Sequence, residues 1–129
     1  MMTDILKFKS VLIEKQELIL NRLTLLDSKE LMHLVASLSS LISNLDLAQA
    51  EEEIRCNRVI VSEMKLHRTS FARAESVLKS SDTYFAYKNV LNLKQCAVRS
   101  YNLAKMQAQY VLSLAKANMD EDISAFTVS

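Results

Sequence analysis

The absence of both glycine and proline is the feature of this 129-residue chain that most restricts its fold. Average usage would give about nine glycines and six prolines in a chain of this length. Glycine supplies the positive φ angles of tight turns, and proline presets φ in loops. A chain without either residue has little use for β-hairpins or long ordered loops. The sequence therefore predicts an all-α protein whose helices are joined by short polar breaks.

The chain has enough apolar residues to bury a core. Hydrophobic residues make up 50% of the sequence and charged residues 24%, which argues against intrinsic disorder. The length is typical of one domain. We therefore predict a single helical domain over residues 1–129, in which residues 120–129 form a flexible acidic and apolar tail.

The first two helices are predicted from apolar spacing and from one capping signal. Apolar residues three and four positions apart indicate a first helix over residues 4–26. Asp27 and Glu30 then have the spacing of a capping box, in which the first carboxylate accepts from an unpaired amide and the second reaches back. We expect the second helix to begin here and to reach about Leu45, with a narrow apolar stripe that starts at Leu31.

A third helix is predicted from about Leu47 to Lys79. Asp46 and the acidic run at residues 51–53 favour a helix N-terminus at this point, because the helix dipole stabilises negative charge there. A single helix that continues through this point is the alternative interpretation.

Ser80, Ser81 and Asp82 form the strongest break in the sequence, since short hydroxyl and carboxylate side chains cap helices and form turns. A fourth helix is predicted over residues 83–119, with a core-facing row that continues to Met119. We expect the third and fourth helices to fold back on each other as an antiparallel pair. In this register the numbers of two residues that face each other add up to about 161. The predicted fold is a four-helix bundle, or an elongated antiparallel helical hairpin with two further helices packed on it.

The sequence favours a cytoplasmic location and no membrane partner. The longest uncharged stretch, Leu31 to Leu45, is only 15 residues long and contains several polar side chains, so it is too short and too polar for a membrane span. The N-terminal residues lack the apolar core of a signal peptide. In the cytoplasm we expect Cys56 and Cys96 to be free thiols.

The sequence gives little support to catalysis or to metal binding. A phosphate-binding loop of the usual kind needs glycines, and this chain has none. The two cysteines and two histidines lack the spacing of a common structural zinc site. The sharpest group is His67 with Glu63 one turn earlier and Cys96 on the opposite predicted helix. We interpret His67 as a core or interface histidine and Cys96 as a small hydrophobic residue. We predict a non-enzymatic protein with no catalytic, cofactor or metal site.

Surplus apolar residues suggest a role in protein association. The first and fourth helices each carry a second apolar row beside the row that faces the core, and a chain this short has few elements to cover both. We predict an interaction module, either an adaptor, a small chaperone or an assembly subunit, that binds a protein partner or forms a homodimer. The predicted apolar interface consists of Leu6, Ile13, Leu20, Leu103, Tyr110 and Leu114.

The charge distribution provides an alternative function. Residues 54–119 carry eleven basic and three acidic side chains, whereas residues 1–53 carry five basic and nine acidic ones. This pattern permits a nucleic-acid-binding regulator with a basic face on the third helix, but the same cations can form an ordinary solvated surface, so this function ranks second. On one continuous helix the basic face would occupy an arc of about 80° and contain Arg58, Lys65, Arg68 and Lys79.

Overall fold

The computed structural model describes the backbone of residues 2–128 and the side chains of residues 4–121. The prediction of an all-α protein is confirmed, since helices and short turns account for the whole described backbone. The helices are α1 (Met2–Arg22), followed by a 3₁₀ turn at Leu23–Leu25, α2 (Ser28–His67), α3 (Phe71–Lys79) and α4 (Asp82–Val128).

The junction between α1 and α2 forms as predicted. The Glu30 amide donates to Asp27 Oδ1 at 2.8 Å, and the Asp27 amide donates to Glu30 Oε1 at 3.4 Å. Together these bonds satisfy two helix-end donors and complete the capping box. The first helix ends at Arg22 rather than at residue 26, because the chain tightens into a 3₁₀ turn before the cap.

The helix α2 is continuous through residue 47, so the predicted break there is wrong and the single-helix alternative is confirmed. The acidic run at residues 51–53 lies in the middle of the helix, and two of its carboxylates contact side chains of the same helix. Gln49 Nε2 donates to Glu53 Oε1 at 3.1 Å, and Arg55 Nη1 lies 2.7 Å from Glu52 Oε1. Pairs at this spacing stabilise a helix from within, so these carboxylates do not need a helix N-terminus.

The structure places a break where the sequence predicted unbroken helix. α2 ends at His67, and Arg68 adopts the left-handed conformation with a φ of 49°. Ser70 then caps α3, with its Oγ accepting from the Arg73 amide at 3.3 Å. The prediction of one helix from Leu47 to Lys79 is therefore wrong. A left-handed residue commonly follows a helix, and in a chain without glycine a different residue must occupy that position.

The long helices α2 and α4 form an antiparallel hairpin. Lys94 Nζ lies 2.6 Å from Asp46 Oδ1 and donates to Gln49 Oε1 at 3.0 Å. Farther along, the Cys56 thiol lies 4.0 Å from the Thr83 carbonyl oxygen. The numbers of two residues that face each other therefore add up to about 140. The predicted register, in which they add up to about 161, is wrong. The predicted register assumed a long third helix, whereas α3 has only 9 residues.

The two shorter helices pack on opposite ends of this hairpin. α1 contacts α2 and α4, and α3 contacts the same two helices, but within the described residues α1 and α3 do not contact each other. At the two levels where α1 or α3 packs on the hairpin, the bundle is therefore three helices across. The elongated hairpin with two further helices describes this structure. We call the two levels the α1 end and the α3 end.

The α4 helix extends past the rest of the bundle. Every residue from 112 to 121 is exposed, because α1 has ended at Arg22 and no other helix of the described backbone reaches this level. The prediction of a buried row as far as Met119 is therefore wrong. The backbone stays helical to Val128, and the flexibility expected of residues 120–129 stays a prediction. We call residues 112–121 the α4 arm.

One helix of the described residues, α2, is long and apolar enough by length and composition to cross a membrane. The core helix of a soluble protein meets the same criterion, and α2 supplies the bundle with a row of buried leucines that includes Leu31, Leu34 and Leu38. This is weak evidence for a membrane span. The expected absence of a membrane partner stays a prediction.

Candidate protein interface

An apolar groove lies between α1 and α4 at the α1 end. It has a volume of about 430 Å³. The groove forms because small side chains of α4, such as the buried Ala97 and Ala104, let this helix pack closely on its neighbours. Larger side chains on the adjoining rows are left at the groove walls. The α1/α4 groove is lined by Ile13, Gln16, Glu17, Ile19, Leu20, Cys96, Arg99, Ser100 and Leu103.

All six residues of the predicted apolar interface are exposed, with exposed fractions between 45% and 85%. Ile13, Leu20 and Leu103 come together in the α1/α4 groove. Leu6 is exposed on α1 but does not line the groove. Tyr110 and Leu114 continue the same face of α4 beyond the groove, toward and into the α4 arm. The fold therefore leaves the second rows uncovered, and their role in binding stays a prediction.

Sequence reasoning missed three residues on this face of α4. Met106 is 66% exposed, and Arg99 and Glu121 are also exposed. At about 100° per residue, all three fall within the same arc as Leu103 and Tyr110. A helical projection of α4 would have found them.

The predicted basic face does not form as a single stripe, because α2 ends at His67. Arg58 and Lys65 stay two turns apart on the outer face of α2, where they flank a shallow groove. Arg68 sits in the left-handed cap position, outside the helix. Lys79 lies at the end of α3 and pairs with Glu75 at 3.2 Å. Two of the four cations therefore share one helix face.

The group of His67, Glu63 and Cys96 is not assembled. His67 Nε2 lies 3.7 Å from Glu63 Oε2 on the same helix. Cys96 is about level with residue 44 of α2, roughly 35 Å along the helix from His67 at 1.5 Å per residue. The predicted register had placed them together. The described residues contain no cluster of three His, Cys, Asp or Glu side chains suited to a metal ion.

The two thiols lie in different surroundings. Cys56 is buried under the start of α4, and burial raises the pKa of its thiol, with a smaller contribution from the negative charges of Glu52 and Glu53. Cys96 is half-buried in the α1/α4 groove. Because Cys56 lies beside Thr83, the two sulfurs are separated by about 20 Å along α4, far beyond the reach of a disulfide.

Comparison with known proteins gives no family for this chain. No protein-family model, curated protein or solved structure matches it.

Proposed function

We propose that this protein is a non-enzymatic helical interaction module that self-associates through the α1/α4 groove and the exposed apolar face of α4. The exposure of all six predicted interface residues carries this proposal. Monomeric proteins rarely leave large contiguous apolar patches in water, and such patches commonly mark protein interfaces. A homodimer would cover the patch without any other component.

The chemistry of the groove supports binding over catalysis. Its walls are mainly apolar, and its charged groups, Glu17 and Arg99, lie exposed at the surface. The buried thiol of Cys56 has a raised pKa, which disfavours the thiolate that a catalytic nucleophile requires.

Among adaptor, small chaperone and assembly subunit, a self-associating surface favours the assembly subunit. We retain the cytoplasm as the expected location.

Nucleic-acid binding remains the second candidate function. Of the four cations of the predicted basic face, Arg58 and Lys65 share a helix face, and Ile54 and Val61 lie between and beside them. Two phosphate contacts provide little affinity, because the affinity of a protein for nucleic acid increases with the number of phosphates that its cations neutralise. The observations therefore favour the protein interface.

Sedimentation velocity over a range of concentrations tests the proposal. We expect a dimer at micromolar concentration, and we expect Leu20→Glu or Leu103→Glu to weaken it by about tenfold or more, because each places a charge in the apolar contact. Leu66→Glu is the matched control, since Leu66 is 74% exposed but lies at the α3 end. Circular dichroism verifies that each variant is folded. A folded monomer at high micromolar concentration would contradict the proposal.

A further inference from the structure

We propose that two copies of this chain bind antiparallel through α4, so that the α4 arm of each copy lies in the α1/α4 groove of the other. This inference rests on the self-association proposed above and adds its geometry. Two surfaces of one molecule are exposed: the α1/α4 groove and the α4 arm. A two-fold dimer would cover both surfaces at once.

The exposed face of α4 has the pattern that such pairing requires. Leu103, Met106, Tyr110 and Leu114 are exposed and fall within an arc of about 80° at 100° per residue. Arg99 lies in the same arc at one end. Glu121 lies in it at the other end. One continuous face therefore carries an apolar centre, a positive end and a negative end.

A two-fold axis at Tyr110 makes this face self-complementary. Positions equally far from Tyr110 then face each other, as in any isologous interface. Met106 faces Leu114 of the second copy, so apolar side chains meet at the centre. Arg99 faces Glu121 of the second copy, and this contact occurs twice. Within the part of the chain that is described, neither Arg99 nor Glu121 has an ion-pair partner of its own.

The lengths of the two surfaces agree with the same axis. Reflected through Tyr110, the α4 arm covers residues 99–108 of the second copy. That segment is about 15 Å long, and it contains the α4 residues Arg99 and Leu103 that line the groove. A parallel dimer would instead place Arg99 against Arg99 and Glu121 against Glu121. The charges and the lengths therefore both favour the antiparallel pair.

Disulfide trapping tests the position of the axis. In a background of Cys56→Ala and Cys96→Ala, Tyr110→Cys should form a covalent dimer rapidly under mild oxidation, because the two substituted residues meet at the axis. Leu112→Cys is the matched control: Leu112 is also exposed, but it lies on nearly the opposite side of α4. We expect little cross-linking of this variant.

The results separate this inference from the proposed function. If sedimentation shows a dimer but Tyr110→Cys cross-links no faster than Leu112→Cys, the antiparallel register is overturned and self-association stands. If the cysteine-free parent and the unmodified chain are both monomers, both proposals are overturned. Preferential trapping at residue 110 in a dimer supports both.

A charge exchange tests the polar ends independently. Arg99→Glu and Glu121→Arg each place like charges together twice in the dimer, and each should raise its dissociation constant by about tenfold at low salt. The double variant restores opposite charges and should return the constant to within about twofold of the parent. If the dissociation constant of the double variant is raised by the two single effects combined, residues 99 and 121 are not in contact.

Discussion

The two ends of the bundle use the same pair of long helices but bury different side chains. At the α1 end, α2 contributes Leu31, Leu34, Leu38, Leu41 and Leu45 to one continuous core with α1 and α4. At the α3 end most of the buried residues are smaller or polar, namely Glu52, Cys56, Ala74 and Val90, and they are joined by one leucine, Leu78. The third helix there is also shorter, with 9 residues against 21 in α1.

This difference has consequences for stability and for binding. Burial of apolar area is the main stabilising contribution to a fold, so the α1 end should hold the bundle together. Short elements with few buried apolar side chains open locally at lower free energy. The α3 end should therefore open first. The proposed interface is built on the α1 end, where a firm core can hold the groove in a fixed shape.

The largest expected effect comes from removing a core leucine at the α1 end. Leu38 is fully buried, and Leu38→Ala should reduce the free energy of unfolding by about 2–5 kcal/mol, measured by chemical denaturation. Leu78→Ala at the α3 end should cost less, because that end can relax around the cavity. Leu66→Ala is the exposed control and should change stability by less than about 0.5 kcal/mol. Equal losses of unfolding free energy in Leu38→Ala and Leu78→Ala would contradict the predicted difference in stability between the two ends.

A smaller effect is expected from the two helix caps. Asp27→Ala and Ser70→Ala each remove a side chain that accepts from a helix-end amide, a loss of about 1 kcal/mol. Hydrogen exchange should separate the two. Ser70→Ala should speed exchange in α3 and leave residues 31–45 protected, whereas Asp27→Ala should lower protection throughout the core. Ser43→Ala, an exposed position on α2, is the control. Slower exchange in α3 than in residues 31–45 would show that the α3 end is the more stable of the two ends, contrary to our prediction.

The smallest effect concerns pH. Burial raises the pKa of the Cys56 thiol above its ordinary value of 9.0, so the folded state favours the protonated thiol. Above the unfolded pKa the unfolded chain loses this proton first, and stability should fall as the pH rises through the folded pKa. Cys56→Ala should remove that part of the pH dependence, and Cys96→Ala should retain it. An unchanged dependence in Cys56→Ala would exclude this thiol as the cause.

Short-range signals in the sequence predicted some of the local features. The lack of glycine and proline predicted helices, and Asp27 with Glu30 predicted the start of α2, because a cap depends on residues only three positions apart. The exposure of Ile13 and Leu103 was also foreseen, since helical periodicity determines which residues share a row.

The sequence by itself determined that this chain is helical and which rows are apolar, because both follow from contacts within one or two helical turns. Only the tertiary structure decided that α2 continues past Asp46, that it stops at His67, and that it faces α4 in a register near 140. The local capping signal at Asp46 was outweighed because Leu45 and Glu52, on either side of it, are both buried in the folded chain. The uncovered arm of α4 has the same origin: how far one helix extends past another depends on where distant segments pack.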